Sequence, residues 1–290
     1  MTSAELKCSS TANHSPDLAE IEKTLYMLWT RKGAREEFLS GGSPEGVNGD
    51  FAEKVDYKGI NLYSSLIRTG QNDLMYSIYP GCAGLIGKGF EDVVGRYFEQ
   101  FPPDHHNFNR AASRFSTYLA SFGDRYVKKY PFLPELADYE WVELEIMEDP
   151  APTPDNVGDF KQLDSPELFD RFSPVVNSAL VIRHYQYPIA KIVDWLKDGV
   201  RLPRRVKKEA CTLAVYRSPE DHSARFLELG EVAALVIERA IDDDFVSYAE
   251  LIKLAVESQA GADPQQIVLD FLTLVEKLRE MELFVASVEI

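Results

Sequence analysis

The stretch from residue 172 to residue 217 constrains the fold most, because it has the composition of β-strands inside a chain that otherwise has helical spacing. Two runs rich in β-branched and aromatic residues, 172–193 and 210–217, lie on either side of a basic segment at 201–208. Each run predicts strand structure. We therefore expect a sheet formed by these runs to organise the second half of the chain.

Side-chain alternation predicts which residues these strands present to their surroundings. Residues 179–182 are continuously apolar, which is typical of a strand covered on both faces. Arg183, Tyr185 and Tyr187 then alternate with polar residues, so one side of the strand's end is available to solvent or a ligand. In the second run, alternation predicts two opposite sets: Cys211, Leu213 and Val215 against Thr212, Ala214 and Tyr216.

Helical patterns dominate the chain before residue 150 and return after residue 230. Gly70 is predicted to end one helix, and Pro150, Pro152 and Pro154 favour extended backbone and mark a domain boundary. The sequence therefore predicts an α+β fold that is mostly α. Its expected parts are a disordered arm (1–14), a helical bundle-like domain (15–149), a Pro-rich linker (150–171) and a winged-helix-like α/β module (172–290).

Net charge limits the partners that the chain can bind. Acidic residues outnumber basic residues 47 to 31, which gives a formal net charge of −16. Because nucleic acids require a basic face, no nucleic-acid partner is predicted. Cations are concentrated in one place, the basic segment, which contains Arg201, Arg204, Arg205, Lys207 and Lys208. This segment either steers a charged protein or peptide, or is a solvated connector.

Cysteine spacing and the length of the apolar runs indicate the cellular compartment. Cys8, Cys82 and Cys211 lie far apart and form no CxxC motif, so a reducing cytoplasm is the simplest interpretation. The apolar runs are too short to cross a bilayer, and no signal segment is recognisable. We therefore expect a cytoplasmic protein without a membrane partner.

Few residues suggest catalytic or metal chemistry. Glu140 lies within or beside an apolar helical stripe, where it is either a general base or interface anchor, or a structural hydrogen-bond acceptor. His105 and His106 are adjacent and lack the spacing of metal ligands. The glycine-rich segment at 81–89 fits no phosphate-binding motif and predicts a tight helix connection. The sequence therefore predicts no catalytic residue, no metal and no cofactor in this chain.

Five segments together carry a family resemblance. They are NLYSSLIRTGQNDLMYSIYPGCAGLIGKGFEDVVGRYFEQFPP (61–103), SRFSTYLAS (113–121), YPFLPELADYEWVELEI (130–146), HYQYPIAKI (184–192) and TLAVYR (212–217). With them the chain resembles a bacterial family long labelled as a DNA-binding domain, whose members are small partner subunits of multinuclear non-heme iron-dependent oxidases. The likeness covers most of residues 20–217. It departs from the family pattern at Tyr79-Pro80, where Phe-Pro is expected, and at 62–66, which lacks a Tyr-Arg pair.

The resemblance implies a non-catalytic partner subunit. The iron and the oxidation would belong to the separate oxidase, while this chain would bind that oxidase and a ribosomally made precursor peptide and present a Cys-containing end of the peptide. The expected peptide or oxidase contacts are Arg183, Tyr185, Tyr187, Tyr216 and Arg217. The same aromatic residues could instead close a seam inside the chain.

Two other classes of function remain open at this stage. A winged-helix transcriptional regulator would bind duplex DNA, but the last helix has acidic residues among its basic ones, including Asp270, Glu276 and Glu280. A stand-alone enzyme would have to use Glu140 or the loop with His105 and His106.

Overall fold

A computed structural model describes residues 18–31, 33–47, 57–122, 125–151, 160–163, 165–259, 261 and 263–290. The chain is a mostly helical α+β protein in which helices precede a mixed region with two small antiparallel sheets. This confirms the prediction of a mostly helical α+β fold. The predicted arm at 1–14, residues 152–159 of the predicted linker, and Cys8 lie outside the described residues.

The helices and strands have the following bounds. The helices are α1 (Leu18–Thr30), α2 (Ala34–Leu39), α3 (Tyr57–Ile78), α4 (Pro80–Ile86), α5 (Phe90–Gln100), α6 (Phe115–Phe122), α7 (Arg125–Lys129), α8 (Leu133–Met147), α9 (Pro166–Arg171), α10 (Ile189–Lys197), α11 (Glu231–Asp242), α12 (Tyr248–Ser258) and α13 (Pro264–Glu280). Short 3-10 helices cover Gly87–Gly89 and Phe108–Ala112. The strands are β1 (Phe172–Val176), β2 (Leu180–Tyr185), β3 (Cys211–Arg217), β4 (Ala224–Leu229) and β5 (Phe284–Glu289). None of the described helices is long and apolar enough to cross a membrane.

The chain divides into two compact units, one with residues 1–76 and 88–111, the other with residues 77–87 and 112–290. In the first unit, Leu28 of α1, Phe38 of α2 and Ile60 of α3 form a buried apolar cluster. The Tyr97 hydroxyl of α5 donates a hydrogen bond of 2.6 Å to the Ala111 carbonyl oxygen. These contacts hold the helices of the first unit together through apolar faces that have the 3.6-residue period seen in the sequence.

The prediction that a helix ends near Gly70 was wrong, because α3 continues through that residue to Ile78. A glycine inside a helix costs only about 1 kcal/mol relative to alanine. The buried side chains of Leu74 and Met75 follow within two turns, and the next proline is Pro80. Burial of the following turns therefore outweighs the weak local preference of one glycine.

The second unit is built around the three-stranded antiparallel sheet β2–β3–β4. Leu180 pairs with Tyr216 and Leu213 pairs with Glu228, so the register is regular along both ladders. One face of this sheet packs against α8, and the other packs on the apolar core that α11, α12 and α13 supply. A separate two-stranded sheet pairs β1 with β5 in antiparallel orientation.

The observed faces confirm the predicted alternation. Leu180, Ile182, Ala214 and Tyr216 belong to the core on the α11–α13 side. The alternate residues of β2 and β3 face α8, as the contacts of Arg183 and Tyr185 with that helix show. The alternation rule therefore sorts β2 and β3 correctly, residue by residue.

Two elements differ from the expected strands. The run 172–193 ends in helix α10, because Ile189, Ile192 and Val193 bury one helical face behind Pro188. Strand β4 lies in a stretch that the sequence analysis did not assign as a strand, and it completes the sheet by pairing with β3. Its sequence ARFLEL mixes charged and apolar residues, which weakens the strand signal.

Candidate functional site

The two edges of the three-stranded sheet are the places where it can accept another chain. The ring of Tyr139 on α8 stacks on that of Phe226 at 4.6 Å between centroids, which illustrates how closely α8 covers one face. The opposite face is covered by the core around Val236 and Phe271. Within the described part of the chain, no further strand pairs with β2 or β4. Their outer backbone groups therefore remain open to an added strand.

Hydrogen bonds at the ends of the ladders define which backbone groups point outward. The Arg217 amide donates to the Ala179 carbonyl oxygen at 2.9 Å, so in β2 the amides of residues 180, 182 and 184 face away from β3. The Ser218 amide donates to the Ser223 carbonyl oxygen at 2.9 Å, so in β4 the amides of 224, 226 and 228 face away from β3. Each edge thus presents three outward-facing residues.

Three carboxylates on one side of α8 fix the end of β2. Asp138 accepts a hydrogen bond from the Tyr185 hydroxyl at 2.9 Å and forms an ion pair with Arg183 Nε at 3.3 Å. Glu145 accepts from Arg183 Nη2 at 2.6 Å, and Glu135 accepts from the amides of residues 186 and 187, each at 3.1 Å. Burial and the nearby Asp138 charge raise the pKa of Tyr185, so its hydroxyl stays a donor. The edge strand is therefore held in one position.

The five predicted contact residues have internal partners. Tyr185, Tyr187 and Tyr216 are 4%, 8% and 3% exposed, and Arg183 and Arg217 are half-buried. Arg183, Tyr185 and Arg217 come together on the α8 side of the sheet, whereas Tyr216 lies on the opposite face. These contacts agree with the seam interpretation. That any of the five contacts a partner stays a prediction.

The basic segment lies beside the end of β2. Lys208 Nζ donates to Gln186 Oε1 at 2.5 Å and lies 5.8 Å from the centroid of the Tyr187 ring. The four other cations of the segment are exposed, and no ion pair among the described residues includes them: Arg201, Arg204, Arg205 and Lys207. A positively charged segment therefore lies next to the end of β2.

Glu140 is a structural hydrogen-bond acceptor. Its carboxylate accepts from the Gly81 amide at 2.5 Å and from the Cys82 amide at 3.1 Å, at the first turn of α4. Burial raises the pKa of Glu140, and the hydrogen bonds from this turn oppose the increase. Burial also raises the pKa of the fully buried Cys82 thiol well above its usual range. The structural alternative for Glu140 is thus confirmed.

His105, His106 and Cys211 are not arranged as a metal site or a catalytic site within the described residues. The rings of His105 and His106 lie 4.1 Å apart, and the described residues contain no group of three His, Cys, Asp or Glu side chains placed to hold a metal ion. Cys211 is buried, and its thiol donates to the Tyr187 carbonyl oxygen at 3.2 Å. It lies in β3 on the side of Leu213 and Val215, as strand alternation predicted.

Apart from the sheet edges of the second unit, the first unit has an open surface of its own, an apolar groove of about 430 Å³. Its lining includes Tyr26, Leu66 and Phe108, which are 56%, 60% and 48% exposed. Exposed apolar surface of this kind is typical of places where proteins bind other molecules.

Sequence reasoning missed the acidic side of α8. Glu135, Asp138 and Glu145 are separated by three and seven residues, so they lie on one side of a helix. That spacing is the signal that could have predicted their shared role against β2.

No protein-family model matches the chain, and no curated protein matches it at a significant level.

Proposed function

We propose that this chain is a non-catalytic partner subunit that binds an extended peptide along the outer edge of β2 and presents it to a separate peptide-modifying oxidase. The observation that carries the proposal is the open edge of a sheet whose two faces are both covered. An extended polypeptide is the ligand that such an edge fits, because its main chain supplies the missing hydrogen-bond partners.

The identities of the oxidase and the peptide come from the family resemblance. It names a multinuclear non-heme iron-dependent oxidase, which would hold the iron, and a ribosomally made precursor peptide. The apolar groove of the first unit is a suitable surface for docking a protein of that kind. The helices α11, α12 and α13, with strands before and after them, are the basis for describing the C-terminal module as winged-helix-like.

The direct test is co-expression of the chain with the candidate oxidase and its precursor peptide. We expect the three to copurify, and mass analysis of the complex should identify the peptide. A chain that neither copurifies with the oxidase nor alters turnover of the peptide would contradict the proposal.

A proline substitution tests the edge itself. His184→Pro removes one outward amide donor from β2, and we expect it to weaken binding of the copurified peptide about tenfold, the value of one hydrogen bond of about 1.4 kcal/mol. His184→Ala is the matched control, because it removes the contacts of the side chain with Thr212 and Glu238 but keeps the amide. The measurement is fluorescence anisotropy with the labelled peptide.

Glu228→Pro distinguishes the two edges. Glu228 is exposed, and its outward amide lies on β4 instead of β2. We expect this variant to bind the peptide like the unaltered chain. Equal binding by His184→Pro and His184→Ala would exclude β2, and a loss confined to Glu228→Pro would place the peptide on β4.

A winged-helix regulator is the second candidate, and the exposed cations of the basic segment are the observation that favours it. Salt-sensitive binding of duplex DNA at physiological ionic strength would support that function. The absence of a gel shift would remove it.

A further inference from the structure

We infer that the basic segment, residues 201–208, recognises a carboxylate-rich part of the peptide that pairs with β2. The inference rests on the proposed function, and it adds the charge of the ligand and the segment that binds this charge. It goes beyond backbone pairing, because an open edge alone accepts extended peptides of many sequences.

Four cations of the basic segment differ from several arginines of the second unit in having no ion-pair partner in the part of the chain that the structure describes. Elsewhere in the second unit, Arg183, Arg225 and Arg239 are each paired with a carboxylate. In a chain with a net charge of −16, carboxylates are abundant. Four cations of the basic segment nevertheless have no ion-pair partner among the described residues. An external anion can therefore bind them without first displacing an internal one.

The basic segment lies beside the end of β2. Lys208 attaches the segment to Gln186 and to the ring of Tyr187, the two residues that directly follow β2. A peptide strand paired with 180–184 that continues past residue 184 would extend toward the end of β2 to which Lys208 attaches the segment. The carboxylate of Glu135 is nearby, but it accepts the amides of residues 186 and 187 and so is already engaged.

The charge of the chain favours a peptide over a nucleic acid as the ligand. A duplex would bring its whole phosphate backbone to a protein with a net charge of −16, so its approach is unfavourable overall. A peptide places only a few carboxylates on the cations and leaves its remaining backbone for the sheet edge. Because the cations are exposed, each contact is weak and sensitive to salt, and their main effect is on selectivity and the rate of association.

The test uses two defined probes, labelled peptides with the same alternating Val-Thr strand, one followed by four glutamates and the other by four glutamines. At low salt we expect the unaltered chain to bind the glutamate peptide about tenfold more tightly, as several weak ion pairs add together. The triple variant Arg204→Ala, Arg205→Ala and Lys207→Ala should lose this preference and leave the affinity for the glutamine peptide unchanged.

A second triple variant serves as the matched control. Lys88→Ala, Lys197→Ala and Lys277→Ala removes three exposed cations outside the basic segment and changes the net charge equally. It should keep the preference. Equal affinity of the unaltered chain for both peptides, or the same loss in both triple variants, would overturn the inference.

Two further measurements distinguish failure of the proposed peptide edge from failure of the charge inference. His184→Pro should weaken binding of both peptides equally, since it acts on backbone pairing. If binding of neither peptide depends on residue 184 but the preference for glutamate persists, the edge proposal fails and the charge inference survives. No binding of either peptide overturns both. Displacement of the labelled glutamate peptide by a short DNA duplex at lower concentration than by the unlabelled glutamate peptide would reassign the segment to nucleic acid.

Discussion

The Glu140→Ala variant should lower the free energy of unfolding at pH 7 by about 2–3 kcal/mol. Helix α4 begins after Tyr79, which provides no side-chain cap, and the Glu140 carboxylate accepts the amides of Gly81 and Cys82 in its place. Alanine would leave both donors without this acceptor and would remove negative charge from a helix N-terminus. Urea unfolding followed by circular dichroism measures the loss.

Glu143→Ala is the matched control for Glu140→Ala. Glu143 lies on the same helix, α8, but its side chain is exposed and makes no hydrogen bond or ion pair among the described residues. The same substitution there should change the free energy of unfolding by no more than about 0.5 kcal/mol. Equal losses in the two variants would show that the carboxylate of Glu140 does not hold α4.

Gly81 makes the same contact testable from the other side. A Cβ atom at this position would lie 2.9 Å from Glu140 Oε1 and 3.3 Å from Leu196 Cδ1, so the carboxylate would have to move away from its two donors. We expect Gly81→Ala to destabilise the chain although alanine favours helix more than glycine does. In the Glu140→Ala background the closer obstruction is gone, so Gly81→Ala should destabilise the chain less than it does in the unaltered chain. Additive effects in this double-mutant cycle would contradict the geometry.

The raised pKa of Glu140 predicts the direction in which the free energy of unfolding changes with pH. Burial raises this pKa above the value of about 4.5 for an exposed glutamate, so the native chain binds more protons than the unfolded chain between the two pKa values. The resulting stabilisation is complete below pH 4.5 and is lost as the pH rises through the native pKa. The free energy of unfolding of the unaltered chain, relative to Glu140→Gln, should therefore fall over that interval.

Local signals in the sequence predict the elements that depend on neighbouring residues. Asp263 and Pro264 predict the start of α13, and in the structure the Asp263 side chain accepts the Gln265 amide at 3.0 Å. The apolar stripe from Leu133 to Leu144 likewise predicts α8. Caps and periodicity act over one or two turns, so one segment is enough to recognise them.

Contacts between distant segments could not be predicted in the same way. The position of Glu140 in an apolar stripe indicated a carboxylate that needs a partner. The residues near Glu140 in the sequence do not indicate that this partner is Gly81, which is 59 residues away. Strand β4 is stabilised mainly by its pairing with β3, and the open edge of β2 is defined by the absence of another strand beside it in the described chain. These features depend on topology, which single-segment patterns do not encode.

The Arg217→Ala variant should lower the free energy of unfolding by about 2–3 kcal/mol, the range for hydrogen bonds from a charged group. Arg217 on β3 donates to the carbonyl oxygens of Asp149 at 2.9 Å and Ala151 at 2.5 Å, with longer bonds to Ile146 and Met147. These acceptors are the last carbonyl groups of α8 and the turn after it. A guanidinium there also stabilises the negative end of the helix dipole.

Arg171→Ala is the control for the loss of an arginine, because Arg171 forms an exposed ion pair with Glu289 and its removal should change stability by less than about 1 kcal/mol.

Arg217→Lys keeps the charge but replaces a forked donor with a single ammonium group, so an intermediate loss is expected. This variant also decides between the two roles predicted for Arg217. If peptide binding falls while the free energy of unfolding is nearly unchanged, Arg217 contacts the partner. If binding changes only in proportion to the loss of stability, Arg217 belongs to the seam between the sheet and α8.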